Sequence, residues 1–177
     1  SNLQPQKGII EFIQALKVLK INDFEFSAFI YGSWRDDKTK IACKKLTNDN
    51  KLPIVFNEPV YGNDKILAFS EADIFVFPPN SPEGHPWVII EAMAAGLPII
   101  STDQGAITES VIDGVNGFIV KPNCPEEIAD RIKYLIENPK ERLRMGRESR
   151  RLYEENFTED KMVERLAGVF NKVLSQN

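Results

Sequence analysis

Glu83 and Glu91 are two carboxylates with seven residues between them, and those seven, Gly84-His85-Pro86-Trp87-Val88-Ile89-Ile90, pass from a turn into a helix. Upstream, Ala72 to Phe77 is an apolar run that reads as a buried strand, followed by Pro78-Pro79-Asn80-Ser81-Pro82. Good helix formers then continue from Pro86 to Ala95, with Pro86 suited to the first turn because its missing N–H has no use inside a helix. A strand, a tight turn and a helix start leave backbone N–H groups pointing outward without partners, which attracts an anion. From the helix start to Glu91 is about two turns, so the two acids flank the helix end with roughly 10 Å between their backbones. An acid on each side of an anion-binding patch suits a ligand that carries hydroxyls on both sides of a diphosphate, as a nucleotide sugar does. Taken singly, either acid reads as a solvated surface charge. Their place at the carboxyl end of a buried strand, where α/β folds put ligands, favours the pair as a site.

The spelling of this region goes further. Ala72-Asp73-Ile74-Phe75-Val76-Phe77-Pro78, the Glu83 to Glu91 interval, and Glu91-Ala92-Met93-Ala94-Ala95-Gly96-Leu97-Pro98-Ile99-Ile100 resemble the retaining GT-B glycosyltransferases of family 4, also called group 1. Lys7-Gly8, Tyr31-Gly32-Ser33-Trp34 and Asp113-Gly114-Val115-Asn116-Gly117-Phe118 extend the resemblance over nearly the whole chain. It implies a role for each matching residue. The Lys7 ammonium would neutralise the donor diphosphate, and Gly84 and His85 would offer it backbone N–H groups. Glu83, the implied catalytic residue, would touch the transferred sugar. Glu91 would accept both ribose hydroxyls, which two carboxylate oxygens serve well, and Val60 would border the nucleobase. No cofactor and no bound metal are implied. The imidazole of His85 reads as a polar group at a helix start, and Trp87 as a core residue or a pocket wall. Gln104-Gly105-Ala106 and Glu109 either border the donor or only shape a turn.

The elements that must position these residues alternate. Ile9, Phe12, Ile13, Leu16 and Leu19 recur at helical spacing over about Gly8 to Lys20. Strands are expected at Phe24 to Tyr31, Leu52 to Phe56, Asp73 to Phe77, Ile99 to Ser101 and Gly117 to Val120. Helices are expected at Asp36 to Asn48 and Asp64 to Ser70. Three more follow Pro125, the second beginning after Asn138-Pro139 and the third capped by Thr158, with a stripe of Met162, Leu166, Val169, Phe170 and Val173. This order gives an α/β fold, a single Rossmann-like domain over 1–177 with a parallel sheet and helices on both faces. The resemblance makes it the C-terminal half of a GT-B fold, without the N-terminal acceptor domain, and makes Ser1-Asn2 a strand's tail or a cloning remnant.

Composition bounds the remaining classes. A length of 177 residues is one domain's worth, and 42% hydrophobic with 27% charged residues is ordinary for a globular protein. A net charge of -4 gives no electrostatic case for nucleic acid. No apolar run reaches the ~20 residues of a membrane span. Cys43 and Cys124 lack ligand spacing and read as reduced thiols of a cytoplasmic protein. One His excludes a histidine metal cluster. No Gly-x-Gly-x-x-Gly follows a strand and no P-loop occurs, against a dehydrogenase or an NTPase. Lys140, Arg144, Arg147 and Arg151 share a helix face, either as solvated surface or as a contact to anionic lipid at the inner membrane face.

The expected function is therefore the donor-binding half of an enzyme moving a hexosyl group from a nucleotide diphosphate sugar to a glycan, lipid or other acceptor. The domain alone is expected to bind nucleotide weakly and transfer nothing. Two alternatives stay open: a GT-B nucleotide-sugar epimerase, and a non-catalytic sugar-nucleotide-binding module.

Overall fold

The computed structural model describes residues 2–174. Among the described residues there are seven strands and seven α-helices, alternating through most of the chain and ending in three successive helices: β1 (Asn2–Leu3), α1 (Ile9–Ile21), β2 (Ala28–Tyr31), β3 (Ser33–Trp34), α2 (Asp37–Asp49), β4 (Ile54–Asn57) and α3 (Gly62–Ser70) come first. Then follow β5 (Phe75–Phe77), α4 (Trp87–Ala94), β6 (Ile99–Thr102), β7 (Gly117–Val120), α5 (Pro125–Glu137), α6 (Pro139–Asn156) and α7 (Glu159–Leu174). Short 3₁₀ turns sit at Pro5–Lys7 and Gly105–Glu109. Every ladder is parallel, as α/β alternation requires, with β1 on β3, β2 on β4, and β5-β6-β7 in a row.

The strand expected from Phe24 begins only at Ala28. Phe24 and Phe26 instead pack against the core as unpaired chain, so their aromatic character serves burial and not a ladder. β2 and β5 do not pair with each other. Between them runs a cleft of about 1160 Å³ whose walls include Leu3, Phe12, Leu16, Ile30, Val76 and Ile132.

Helices cover both faces. On one, α1 and α5 bury Ile13, Leu16, Ile128, Ile132 and Leu135 against Ile30, Ile100 and Val120. On the other, α4 buries Ile89, Ile90, Ala92 and Met93 against Phe77, Ile99, Ile107 and Val111. Caps define the ends as the sequence suggests: the Asp36 carboxylate accepts from Thr39 N–H at 2.7 Å, which lowers its pKa, and Gly96 closes α4 with φ +71°. Cys43 is buried, and burial pushes its thiol up to about 11, so it stays protonated and inert at neutral pH. Helix α7 forms where expected. Its stripe of Met162, Leu166, Val169, Phe170 and Val173 is present but exposed along its whole length.

No described helix is long and apolar enough to cross a membrane. The cationic stripe on α6 is largely tied up. Arg144 pairs with Glu141 at 2.9 Å and donates to the carbonyl of Gly114, while Arg151 pairs with Glu148 and Glu155.

Candidate functional site

The site is assembled where β5 ends. Ser101 and Thr102, both buried on β6, donate their hydroxyls to the carbonyls of Phe77 (2.5 Å) and Pro79 (2.7 Å). These bonds fix the chain as it leaves the sheet for the turn Asn80 to Gly84. From the other side comes the 3₁₀ turn carrying Lys7. Asn80 donates its backbone N–H to Gln6 O (3.1 Å) and its side-chain amide to Pro5 O (3.3 Å). Gly8 has φ +74°, and a Cβ there would collide with the Pro78 carbonyl. Glycine beside Lys7 is thus required twice, by its backbone conformation and by the close approach of the β5 turn.

This contact brings two of the expected residues together. The Lys7 ammonium lies 2.6 and 2.7 Å from the two oxygens of Glu83, with the lysine side chain 25% exposed and the glutamate 12%. The same ammonium stands 5.8 Å from the centre of the Phe77 ring. A charged pair this sheltered is held by geometry more than by net stabilisation, because desolvation cancels much of the Coulomb gain.

Helix α4 starts directly beyond. Pro86 is its N-cap, at φ -66° and ψ 111°, and not a residue of the first turn as the sequence suggested. Its fixed φ suits the cap equally well, since an extended ψ is open to proline. Among the described residues, the N–H groups of Gly84, His85, Trp87 and Val88 donate no hydrogen bond. Gly84 faces open space, with nothing within 4 Å of where a Cβ would stand. Unpaired donors at a helix start are the arrangement that attracts an anion.

Glu91 lies on α4 a little over one turn from its start. Its Oε1 accepts from Lys65 of α3 at 2.6 Å, both side chains being about one-third exposed. Its other oxygen, Oε2, is sealed from solvent and accepts nothing. Val60, in the loop before α3, lines the large cleft together with Lys7, Lys65 and Pro78. Lys7, Glu83, Gly84, Glu91 and Val60 therefore all lie on elements that meet around the end of β5 and the start of α4.

His85 points elsewhere. Its Nε2 meets Ser110 Oγ at 2.5 Å and its ring stands edge-on to Phe157, so the imidazole fastens the turn to the opposite side of α4. Trp87 is 70% exposed, against the expectation of a core residue. The buried positions Ile89, Ile90, Ala92 and Met93 turn the other side of the helix to the core and leave position 87 to solvent. With His85, Ser110, Leu152 and Phe157, Trp87 borders a second cavity of about 780 Å³.

Two further contributors are the Gln104–Ala106 loop, for which the sequence left border and turn both open, and Lys65, which it did not offer. Gly105 has φ +65°, and a Cβ on it would strike the Glu83 carbonyl, while Ala106 N–H reaches the carbonyls of Glu83 and Gly84 at 3.3 Å. The Gln104–Ala106 loop is thus the floor under Glu83, and only its glycine hinted at this. Lys65 gave no signal, because nothing in sequence links α3 to Glu91. Among the described residues, no three His, Cys, Asp or Glu side chains are grouped as a metal site would need.

A parallel α/β sheet has an open helix N-terminus at the carboxyl end of β5, faced by a lysine and two acids. Comparison with known proteins gives the family. The family described as glycosyl transferases group 1 matches residues 1–152, and the chain belongs to it. It is similar to the capsular polysaccharide biosynthesis glycosyltransferase CapM of Staphylococcus aureus, at 28% identity over 97% of this chain and 44% of that protein. An uncharacterized glycosyltransferase of Haemophilus influenzae is 34% identical over 92% of this chain and 45% of its own length. The chain thus spans a little under half of these relatives. By structure it resembles the C-terminal domain of a group 1 glycosyl transferase, LpcC of Francisella tularensis. The TM-score is 0.79 at 27% identity, over 89% of this chain and 83% of that one. HepE of Anabaena, solved in complex with UDP, shares the fold at a TM-score of 0.87 and 22% identity, covering 97% of this chain and 47% of that one. The chain is accordingly the C-terminal, Rossmann-like half of a GT-B fold.

Proposed function

We propose that this chain binds the donor of a retaining hexosyltransferase, a nucleotide diphosphate sugar, at the start of α4. The observation that carries the reading is the coincidence of unpaired N–H groups at Gly84, His85, Trp87 and Val88 with the Lys7–Glu83 pair beside them. The diphosphate lies against these donors and draws the Lys7 ammonium toward itself. Glu83, relieved of part of its partner, turns its oxygens to the hydroxyls of the transferred sugar. Glu91 accepts the ribose hydroxyls, and Val60 flanks the base. When the glycosidic bond to phosphate breaks, charge gathers on the departing diphosphate. The helix N-terminus and Lys7 stabilise it there, in place from the start and needing no divalent ion. The family's curated members named above, and HepE with its bound UDP, support this choice of ligand class. Placement in the cytoplasm, with an acceptor that is a glycan or a lipid at the inner membrane face, belongs to the same reading.

Calorimetric titration with UDP, GDP and ADP and their sugars tests it. One nucleoside diphosphate binds, and Glu91→Ala weakens it by about tenfold or more, as loss of hydrogen bonds to a charged acceptor requires. Unchanged affinity in Glu91→Ala would favour a non-catalytic module of the same fold.

A further inference from the structure

We propose that Lys65 is a positioning residue of the donor site: it holds Glu91 in the orientation that receives the vicinal hydroxyls of the nucleoside. The inference rests on the reading of Glu91 given above and adds a residue from a different element. Three observations carry it. First, the Lys65 ammonium lies 2.6 Å from Glu91 Oε1 and 26 positions away in sequence, so the contact joins two helices and not neighbours on one. Second, α3 has one point of attachment beside Lys65, although none of its residues is fully buried. Phe69, one turn after Lys65 and on the same side of the helix, is partly buried against the core that contains Ile89 and Met93, its ring tilted at 54° to that of Phe75 with centres 5.7 Å apart. Lys65 is presented next to this attachment, on the wall of the cleft that also holds Val60 and Lys7. Third, Glu91 Oε2 is closed to solvent and accepts no hydrogen bond, although an ionised carboxylate offers several acceptor sites. A buried acceptor without a partner is costly, and a small turn of the Glu91 side chain that opens Oε2 to a ligand hydroxyl removes that cost.

Lys65 and the diol do not compete. Each carboxylate oxygen has two lone-pair directions, so Oε1 keeps its ammonium while both oxygens take a hydroxyl. The lysine restricts the rotation of Glu91. As a surface ion pair, about one-third exposed at both ends, it contributes little to folding, so its removal leaves the fold intact.

The test separates orientation of the diol from attraction to phosphate. Wild type, Lys65→Met, Lys65→Arg and Glu91→Gln are titrated with UDP and with 2′,3′-dideoxy-UDP, or with the guanine pair where GDP binds more tightly. Lys65→Met weakens the ribonucleotide about tenfold but leaves the dideoxy nucleotide within about twofold of wild type, while Lys65→Arg recovers most of the loss. Glu91→Gln shows the same selectivity for the ribonucleotide. Equal loss on both ligands in Lys65→Met would assign Lys65 to the phosphates and overturn the proposal while leaving the role of Glu91 standing. No loss on either, with Glu91→Gln still selective, would overturn it as well. Should Glu91→Gln lose no selectivity, the reading of the site falls and the proposal with it.

Discussion

At the scale of residues, the site is built by close approaches that only glycine permits. Lys7 reaches Glu83 because Gly8 lets the 3₁₀ turn press against the Pro78 carbonyl, and Glu83 is supported from below because Gly105 lets its loop touch the Glu83 carbonyl. Gly114 makes an informative contrast, with a similar φ of +73° but open space where a Cβ would go. Gly114→Ala carries only the left-handed strain, about 1 kcal/mol. Gly8→Ala carries that strain and a collision with backbone, for a loss of about 2–4 kcal/mol. Urea unfolding of the two variants measures the difference. Gly8→Ala also loses nucleotide binding where it still folds, because Lys7 shifts from Glu83, whereas Gly114→Ala binds as wild type does.

At the scale of elements, periodicity and capping read well wherever an element buries one face. The α1, α4 and α5 stripes, the Asp36 cap, Gly96 after α4 and the five strand positions could all be taken from spacing and punctuation. The Glu83 to Glu91 interval was legible for the same reason, since its turn and helix are local. Three things were not legible, and each depends on contacts distant in sequence. Phe24 and Phe26 have strand-like composition, but no neighbour pairs with them, so composition promised a ladder that topology withholds. Trp87 was expected inside because it is large and apolar, yet its helical phase sends it out. Lys65 meets Glu91 across 26 positions of sequence, a contact that only the tertiary placement of α3 creates. Helix α7 shows how amphipathic spacing does not by itself say what covers a face. Its stripe is regular and none of its residues is buried. Truncation after Phe157 therefore shifts the melting temperature by less than about 3 °C, the equivalent of about 1 kcal/mol for a domain of this size. A scanning calorimetry comparison of the truncated and intact chains checks this, and a larger fall would mean that α7 packs more tightly than its exposure indicates.

At the scale of the whole molecule, charge and openness limit what this chain does alone. Lys7 with Glu83 and Lys65 with Glu91 sum to no net charge around the α4 start, within a chain of net charge -4. On the donor-binding proposal, a diphosphate is therefore attracted by N–H groups and by lysines that already serve carboxylates, not by a surplus of cations. Gly84, at the centre of the turn, faces open space, so one side of a donor bound as proposed stays in water. Water at that side weakens each charged contact and leaves no wall to hold an acceptor in line with the sugar. The chain spans about 44–45% of the length of these relatives. Two outcomes are expected for this chain. Nucleoside diphosphate binds with a Kd weaker than about 10 μM, corresponding to less than roughly 7 kcal/mol, and more weakly still as salt is raised. Incubation with the matching nucleotide sugar and an oligosaccharide acceptor gives no transfer product by mass spectrometry. Sustained turnover would show that the open side of the α4 turn needs no second wall, and that the N–H groups, Lys7 and the two glutamates suffice for catalysis by themselves.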